Sequence, residues 1–325
     1  MRTAKNESNV VNHFKIALVG TGSMGREHAR AFSAQPNAHI VALHNRTREK
    51  AETLAAGLDN PLVCDTIEEL ADRSQPDLIV VAVPELAANS VAKACFRHDC
   101  AVLLEKPAGY NLRDAQDIAI AAYEHKTPVF VGFNRRFYGS VLETLSDLDA
   151  RPQEKRFIHV QDQQNFGEAR AHNHPEEVIR HFMYANSIHN IDLITTFARG
   201  SLIDVHVIQP WRGKDTEVVL AHLMFDSGDT AIYEGIWQGP GPWACAVSTP
   251  SVRWSLIPLE EATIQLSGER TRRNIERTQI DTDYKPGFYL QAQAVLEALA
   301  GHTSRAVNLE QSLKTMELIH RLFNV

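Results

Sequence analysis

With 325 residues the chain is long for a single hydrophobic core, so two domains are expected. Its 44% hydrophobic and 22% charged residues are typical of a globular protein, and a formal net charge of -7 argues against a nucleic-acid surface. We expect no membrane span, no secretory signal at the polar residues 1–12, and a loose arm over 1–13. The four cysteines form no C-x-x-C pair, which predicts reduced thiols in a cytoplasmic protein.

The first predicted elements are an apolar strand over 15–19, a glycine turn, and a helix over 24–32. In the G-x-G-x-x-G turn, Gly20 permits a sharp bend, Gly22 lets backbone N–H groups approach a pyrophosphate, and Gly25 lets the helix pack closely on the strand. The phosphates would lie at the positive helix N-terminus. The pattern predicts dinucleotide binding by Gly20, Thr21, Gly22, Ser23, Met24 and Gly25.

A second predicted strand, over 39–43, is followed by Asn45 and Arg46. NAD sites commonly place an acidic residue about 20 positions beyond the glycines, where it binds the ribose hydroxyls. Asn45 occupies that position without a charge, and the adjacent guanidinium of Arg46 suits a 2′-phosphate. The sequence therefore favours NADP over NAD, with the alternative that Arg46 stacks on adenine in an NAD enzyme.

Apolar strands over 78–83, 101–104 and 128–131 alternate with helices over 86–97 and 111–124. This alternation predicts βαβ units and a doubly wound parallel sheet, an α/β Rossmann domain over 1–132. Ligands of such sheets bind beyond the carboxyl ends of the strands. The residues predicted there, as further cofactor contacts, are Val83, Pro84, Glu105 and Lys106.

From residue 133 the pattern changes to successive strands over 157–164, 202–209, 218–225, 230–237, 252–256 and 263–266. Strands without intervening helices predict a large, mostly antiparallel sheet in an α+β domain over 133–325. Helices are predicted over 183–198, 287–300 and 308–323, and the last two could pack back on the first domain. An exposed sheet face would favour a homodimer or homotetramer.

Four motifs together resemble the Gfo/Idh/MocA oxidoreductases, the group of glucose-fructose oxidoreductase and inositol dehydrogenase. They are G-T-G-S-M-G at 20–25, E-K-P at 105–107, V-G-F-N-R-R at 131–136 and S-I-H-N-I-D at 187–192, and the likeness covers nearly the whole chain. The resemblance implies that Lys106 and His189 are catalytic. A histidine base would take the hydroxyl proton while a lysine stabilises the developing alkoxide.

Three positions depart from the family pattern: Ala88 stands where a histidine is common, Ala185 where an acidic residue precedes His189, and Asn45 where an acidic residue is usual. These departures leave the fold prediction intact and weaken the expected support for the catalytic histidine. Lys106 and His189 favour an enzyme, while Ala88 and Ala185 keep open the alternative of a dinucleotide-binding regulator without turnover.

Other polar residues could be either substrate ligands or structural groups. Asp192, one turn beyond His189, either contacts substrate or orients a neighbour, and Arg135 and Arg136 pair either with an anionic substrate or with surface carboxylates. The histidines at 172, 174 and 181 lack a nearby acidic or cysteine cluster, so they predict a surface loop and no metal. The W-Q-G-P-G-P-W segment at 237–243 is either a sugar platform or a structural turn.

The resulting expectation is an NAD(P)-dependent oxidoreductase that transfers hydride between nicotinamide and a secondary alcohol or ketone. The resemblance implies a sugar, polyol or nucleotide-sugar as the substrate. Two alternatives stay open: a reductase of an imine or small carbonyl, and the non-catalytic regulator. Neither a membrane nor a nucleic acid is an expected partner.

Overall fold

A computed structural model describes residues 13–325, so the arm expected over 1–13 lies outside the described residues except for His13. The described chain forms two sheets, a six-stranded sheet followed by an eight-stranded one. The predicted fold class, a parallel α/β part and an α+β part with a mostly antiparallel sheet, is confirmed. Within residues 13–325, no helix combines the length and the apolar character that crossing a membrane requires.

The first sheet is parallel and has the strand order 3-2-1-4-5-6. Its strands are β1 Phe14–Val19, β2 Ala38–His44, β3 Leu62–Cys64, β4 Leu78–Val81, β5 Ala101–Glu105 and β6 Val129–Gly132. The crossovers are helical: α1 Ser23–Ser33, α2 Arg48–Ala55, α3 Ile67–Ser74, α4 Glu85–Cys95 and α5 Leu112–His125. This order reverses between β1 and β4, which creates the crevice where such sheets bind ligands.

Both faces of this sheet are buried, because alternate residues of each strand enter different cores. Ile16 and Leu18 of β1 pack with α1, whereas Ala17 and Val19 pack on the opposite face with α3, α4 and α5. Burial on both faces explains why the strands are continuous apolar runs. Thr66 and Asn111 cap α3 and α5 through their side-chain oxygens.

The second sheet has the order 14-13-12-11-7-10-9-8, and all its pairings are antiparallel except that of β7 with β10. Its strands are β7 Phe157–Gln164, β8 Leu202–Gln209, β9 Val218–Phe225, β10 Thr230–Trp237, β11 Ala244–Ser248, β12 Val252–Leu256, β13 Ala262–Leu266 and β14 Arg273–Ile275. Strands β11 and β14 were not predicted, since the first follows a Gly- and Pro-rich loop and the second is short and exposed.

The helices of the second part are α6 Gly139–Asp149, α7 Phe166–Ala171, α8 Glu176–Arg180, α9 Ile188–Phe197, α10 Gln279–Asp283, α11 Phe288–Leu299 and α12 Leu309–Phe323. Short 3-10 turns lie at Asn134–Phe137 and Gly213–Asp215. The helix predicted over 183–198 is a regular α-helix only from Ile188, because Met183–Ser187 form a wider π turn. Such turns alter the direction of backbone carbonyls and recur at functional sites.

Two late helices return to the first sheet. Helix α11 packs beside α1, where Phe288, Ala292 and Val295 share a buried cluster with Ile16 and Leu18 of β1. Helix α12, with a capping box at Asn308 and Gln311, packs against α5 and α9. Residues far along the chain therefore complete the helical layers around the nucleotide-binding sheet.

Candidate active site

A cleft of about 460 Å³ lies at the carboxyl ends of β1, β4 and β5. The sequence predicts ligand binding at this edge of the sheet. Residues after β6 and in α9 and α11 form the opposite wall of the cleft. The cleft is lined by Gly22, Ser23, Met24, Val81, Ala82, Val83, Pro84, Glu85, Ala88, Leu104, Glu105, Lys106, Pro107, Asn134, Arg135, Tyr138, Asn186, His189, Lys285 and Phe288.

The glycine turn has the geometry of a nucleotide cradle. Gly20 has φ +96°, and a Cβ added there would lie 2.2 Å from the Ala82 carbonyl oxygen. A Cβ on Gly25 would lie 2.1 Å from the Gly20 oxygen, whereas one on Gly22 would meet no described atom within 4 Å. Gly20 and Gly25 are thus required by packing, while Gly22 faces open space at the N-terminus of α1. That space fits a pyrophosphate bound to backbone N–H groups.

Asn45 lies next to this turn and not in the cleft itself. Its Oδ1 accepts a hydrogen bond from the Thr21 N–H at 3.1 Å, and its Nδ2 donates to the Thr47 carbonyl at 2.9 Å. The side chain therefore ties the end of β2 to the glycine turn. Arg46 beside it is exposed and forms no hydrogen bond or ion pair with any residue in 13–325.

We expect Asn45→Asp to move cofactor preference from NADP toward NAD by about 1–3 kcal/mol, because a carboxylate repels a 2′-phosphate and accepts from ribose hydroxyls. The carboxylate can still accept from the Thr21 N–H, so the turn should be preserved. Dissociation constants of both cofactors, measured by fluorescence titration, test this. Arg46→Ala should weaken NADP alone, and a wild-type protein that already binds NAD far more tightly would contradict the prediction.

Lys106 follows the last residue of β5 and reaches toward the second part of the chain. Its Nζ donates to the backbone carbonyl of Ala185 at 2.9 Å, within the π turn. Burial lowers the pKa of Lys106, and the carboxylates of Glu105 and Glu85 oppose that shift. The π turn thus supplies a carbonyl acceptor for the lysine at the position where the sequence lacks an acidic side chain.

His189 lies in the first turn of α9 and lines the same cleft, with 8% of its surface exposed. Its Nδ1 is buried and has no hydrogen-bond partner among the described residues, which leaves Nε2 as the nitrogen able to reach a substrate. Burial holds the pKa of His189 well below its ordinary value, and the positive charges of Lys106, Arg135 and Lys285 lower it further. The imidazole is therefore neutral at physiological pH and can accept a proton.

Glu105, a predicted cofactor contact, lines the cleft but is held by the protein. Its Oε1 lies 2.7 Å from Nε2 of His28, a fully buried residue of α1, and its Oε2 accepts from the Lys106 N–H at 3.2 Å. The carboxylate thereby links α1 to the strand end that carries Lys106. Four other residues predicted to contact the cofactor also line the cleft: Ser23, Met24, Val83 and Pro84.

A second cavity of about 250 Å³, here named the side chamber, adjoins the cleft and shares Glu85, Lys106 and Asn186 with it. His172 and His174, which the sequence assigned to a surface loop, are partly or largely exposed but line this chamber together with residues of α7. Its other lining residues are Gln163, Gln164, Asn165, Glu168, Ala169, Phe182, Ala185 and Trp243. Within residues 13–325, no group of three or more His, Cys, Asp or Glu side chains is arranged to hold a metal.

The tryptophans at the two ends of the 237–243 segment have different surroundings. Trp237 is buried in β10 among Phe166, Trp211 and Phe323. Trp243 lines the side chamber, and its Nε1 donates to the Gln163 carbonyl at 2.6 Å. Only the second tryptophan can therefore contact a ligand in the chamber.

Arg135 lines the cleft and is anchored by its neighbours. Its guanidinium lies 4.3 Å from the ring centroid of Trp243, and Nη1 donates to Asn190 Oδ1 at 2.7 Å. Asn190 in turn donates to Asp162 at 2.7 Å, which also accepts from the hydroxyl of Tyr233. This buried chain of polar groups fixes the arginine between the eight-stranded sheet and the cleft.

Arg136 and Asp192, both predicted as substrate ligands, lie outside the cleft and bind each other. Nε and Nη2 of Arg136 each donate to a carboxylate oxygen of Asp192 at 2.6 Å, and the Thr315 hydroxyl donates to the same carboxylate at 2.8 Å. Asp192 is 1% exposed. The pair joins the segment after β6 to α9 and α12, so the structure corrects the prediction of a substrate role for both residues.

We expect Asp192→Asn to lower the free energy of unfolding by about 3–5 kcal/mol, since it leaves the Arg136 guanidinium buried without its carboxylate. Denaturant unfolding followed by circular dichroism measures the change. The matched control is Glu176→Gln, which breaks a similar but exposed two-point pair with Arg170 and should leave the unfolding midpoint nearly unchanged. Equal effects of the two substitutions would contradict a structural role for the buried pair.

Five polar lining residues were missed by sequence reasoning: Glu85, Asn134, Tyr138, Asn186 and Lys285. Glu85 and Asn134 fall next to motifs already noted, at the ends of β4 and β6, so their position gave a usable signal. Tyr138 and Lys285 reach the cleft only through the packing of the second part against the first. Burial raises the pKa of the Tyr138 hydroxyl, which keeps it a neutral donor.

Comparison with known proteins finds a family model for the first part of the chain. Residues 14–133 match the model of the oxidoreductase family with an NAD-binding Rossmann fold, GFO_IDH_MocA. Inositol 2-dehydrogenase of Rhodococcus jostii is 32% identical over 129 residues, 39% of this chain and 35% of that protein, so the alignment spans about a third of the relative.

The solved structures that resemble the chain do so over nearly its full length. A dehydrogenase from Chromobacterium violaceum has a TM-score of 0.80 at 20% identity and covers 96% of this chain and 94% of its own. UDP-N-acetylglucosamine 3-dehydrogenase from Acidithiobacillus ferrooxidans has a TM-score of 0.75 at 15% identity, with 95% and 96% covered. At these identities the structures establish the shared fold alone. The family model thus accounts for residues 14–133, and the solved structures show a shared fold over nearly the whole chain.

Proposed function

We propose that the protein is an NAD(P)-dependent oxidoreductase that interconverts a secondary alcohol and a ketone on a sugar-like substrate. The observation that carries the proposal is that Lys106 and His189 line the same cleft, and that Lys106 also lines the adjoining side chamber. One comes from the end of β5 and the other from α9, so only the folded chain brings them together. A non-catalytic dinucleotide sensor would have no need of a proton acceptor beside a second, polar chamber.

The cleft fits a dinucleotide cofactor. The turn at Gly20 to Gly25 would hold the pyrophosphate, Asn45 and Arg46 would face the adenosine ribose, and the strand ends at Val83 and Glu105 would border the nicotinamide. When bound, the nicotinamide supplies the acceptor or donor of hydride. The unhindered Gly22 and the unpaired Arg46 leave room for either NAD or NADP, and Arg46 favours the phosphorylated form.

His189 acts as the general base in the direction of alcohol oxidation. Its neutral imidazole accepts the hydroxyl proton at Nε2 while hydride leaves the carbon that bears this hydroxyl. In ketone reduction the imidazolium returns the proton to the oxygen. Lys106 donates to the reacting oxygen and stabilises the negative charge that develops on it. The Ala185 carbonyl holds Nζ in position, so the lysine needs little rearrangement when substrate arrives.

The relatives suggest which substrates to try, since one is an inositol dehydrogenase and another a nucleotide-sugar dehydrogenase. We also propose that the protein acts in the cytoplasm as a homodimer or homotetramer. Ile203 and Ile208 of β8 are more than half exposed, and such apolar groups favour a partner on that sheet.

A screen of sugars, polyols and nucleotide-sugars, read as absorbance change of NAD and NADP, tests the function. Alcohol oxidation with at least one of them supports the proposal. Turnover only with imines or small carbonyls would favour a reductase of those groups. Tight cofactor binding without turnover of any tested compound would favour a regulator. Substitution of Lys106 would then have no activity to remove.

A further inference from the structure

The side chamber has walls that accept hydrogen bonds more than they donate them. Its charged lining groups are the carboxylates of Glu85 and Glu168 and the ammonium of Lys106, so negative charge exceeds positive. Neither carboxylate forms a hydrogen bond or ion pair with any residue in 13–325, which leaves both free for a ligand. Nε2 of His172 is also free, because only its Nδ1 bonds the Glu168 carbonyl, at 2.8 Å.

Most amide groups of the chamber are already used. Gln164 donates to Asp162 and accepts from Asn186, at 2.9 and 2.8 Å, and Gln163 donates to the Gly239 carbonyl at 2.9 Å. Asn165 caps α7, its Oδ1 accepting from the N–H groups of Gly167 and Glu168. The start of α7 therefore offers fewer free N–H groups to an anion.

These features disfavour a phosphoryl group. A phosphate presents only acceptor oxygens and is bound by arginine forks, lysines or free helix N-termini. Arg135, the nearest arginine lining the cleft, donates to Asn190 and stacks on Trp243. Among residues 13–325, Lys106 is the only lysine or arginine that lines the chamber, and the proposed reaction assigns it to the reacting oxygen.

Hydroxyl groups suit the same walls. A carboxylate has no proton to donate and accepts from two neighbouring hydroxyls at once. The chamber, with a volume of about 250 Å³, has room for one hydroxylated six-membered ring.

We propose that the substrate is an unphosphorylated six-membered polyol or monosaccharide ring whose neighbouring hydroxyls donate to Glu85 and Glu168 in the side chamber. The inference rests on the proposed function, which places the reacting carbon beside Lys106 and His189. It goes beyond that function by excluding sugar phosphates and nucleotide-sugars as preferred substrates. Glu168 becomes a specificity-determining residue, since it lies on α7 at the chamber and outside the cofactor cleft.

The first test compares matched compounds on the full-length protein: glucose, glucose 6-phosphate and UDP-glucose, with myo-inositol as a second neutral ring. We measure kcat/KM with the preferred cofactor, and binding by calorimetry to protein saturated with the reduced cofactor. The neutral rings should be favoured over both phosphorylated forms by about 100-fold or more, the scale on which unpaired polar groups discriminate. Preference for a phosphorylated form would overturn the inference and leave the dehydrogenase function standing.

The second test reverses the charge of the chamber. Glu168→Lys should reduce the discrimination against glucose 6-phosphate by about tenfold or more, with cofactor affinity unchanged. Glu143→Lys on α6, at an exposed position away from both cavities, is the control for net charge and should not alter the ratio. Circular dichroism checks that both variants fold.

Calorimetry separates the two proposals. If neutral rings bind preferentially but no compound is oxidised, the assignment of the chamber to an unphosphorylated ring survives and the dehydrogenase function fails. If no ring binds, or if Glu168→Lys leaves the phosphate discrimination unchanged in a folded protein, the inference is wrong.

Discussion

Lys106→Ala and His189→Ala should each lower turnover on the true substrate by on the order of 10²-fold or more, with cofactor affinity nearly unchanged. The first removes the charge that stabilises the reacting oxygen, and the second removes the proton acceptor. Both side chains line the cleft, yet neither belongs to the glycine turn that would hold the pyrophosphate. Steady-state kinetics and cofactor titration on the same preparations measure the two effects separately.

The histidine at 174 gives a matched control, since it lines the side chamber but not the cleft. His174→Ala should alter KM more than kcat, because it can contact substrate without reaching the cofactor. Near-wild-type turnover of His189→Ala would show that the base lies elsewhere, and Lys106 would be the first candidate to replace it.

The pH dependence follows from the lowered pKa of His189. A base with a depressed pKa loses activity only when pH falls through that lower value, so the acidic limb of kcat/KM should lie well below pH 6.5. Ala185→Asp should move this limb upward, because a nearby negative charge favours the imidazolium form. Ala185→Asn is the uncharged control. A limb that stays in place in the aspartate variant would show that His189 is not the group being titrated.

Gly22→Val should abolish cofactor binding while the protein still folds. An added Cβ at Gly22 meets no described atom within 4 Å, and its backbone angles, φ -70° and ψ -162°, suit a branched residue. The folding cost is the loss of a favourable helix N-cap, about 1 kcal/mol. The new methyl groups would occupy the space needed for backbone approach to the pyrophosphate.

Gly25→Ala provides the contrast, because its Cβ would collide with the Gly20 carbonyl oxygen and should destabilise the fold itself. Cofactor titration and thermal unfolding of both variants separate a binding defect from a folding defect. Unchanged cofactor affinity in a folded Gly22→Val protein would remove the glycine turn from the binding site.

The parallel sheet was predictable because its determinants are local. The apolar runs around 16–19 and 78–81 are buried on both faces, and the glycine turn has a steric reason at Gly20 and Gly25. Each of these features lies within a few residues of chain. The π turn at Met183–Ser187 was not predictable, because its helical periodicity resembles that of an ordinary α-helix.

The site was predictable only in part, for a similar reason. Lys106 follows directly from the end of a strand, whereas the surroundings of Asp192 depend on Arg136 and Thr315, which are 56 and 123 residues away in sequence. Sequence spacing placed Asp192 one turn from His189 but could not show that it faces away from the cleft. The side chamber likewise forms only when α7 and the turn after it pack near Lys106.

The packing of α11 against the first sheet affects how the chain folds during its synthesis. Phe288, Ala292, Val295 and Leu296 fill the core beneath β1 and β4, although the family match ends at residue 133. A nascent chain of which only the residues up to 133 have emerged from the ribosome would therefore expose this apolar surface to water. The first sheet reaches its final packing only after α11, Phe288–Leu299, has emerged, so premature termination before α11 should yield aggregation-prone fragments.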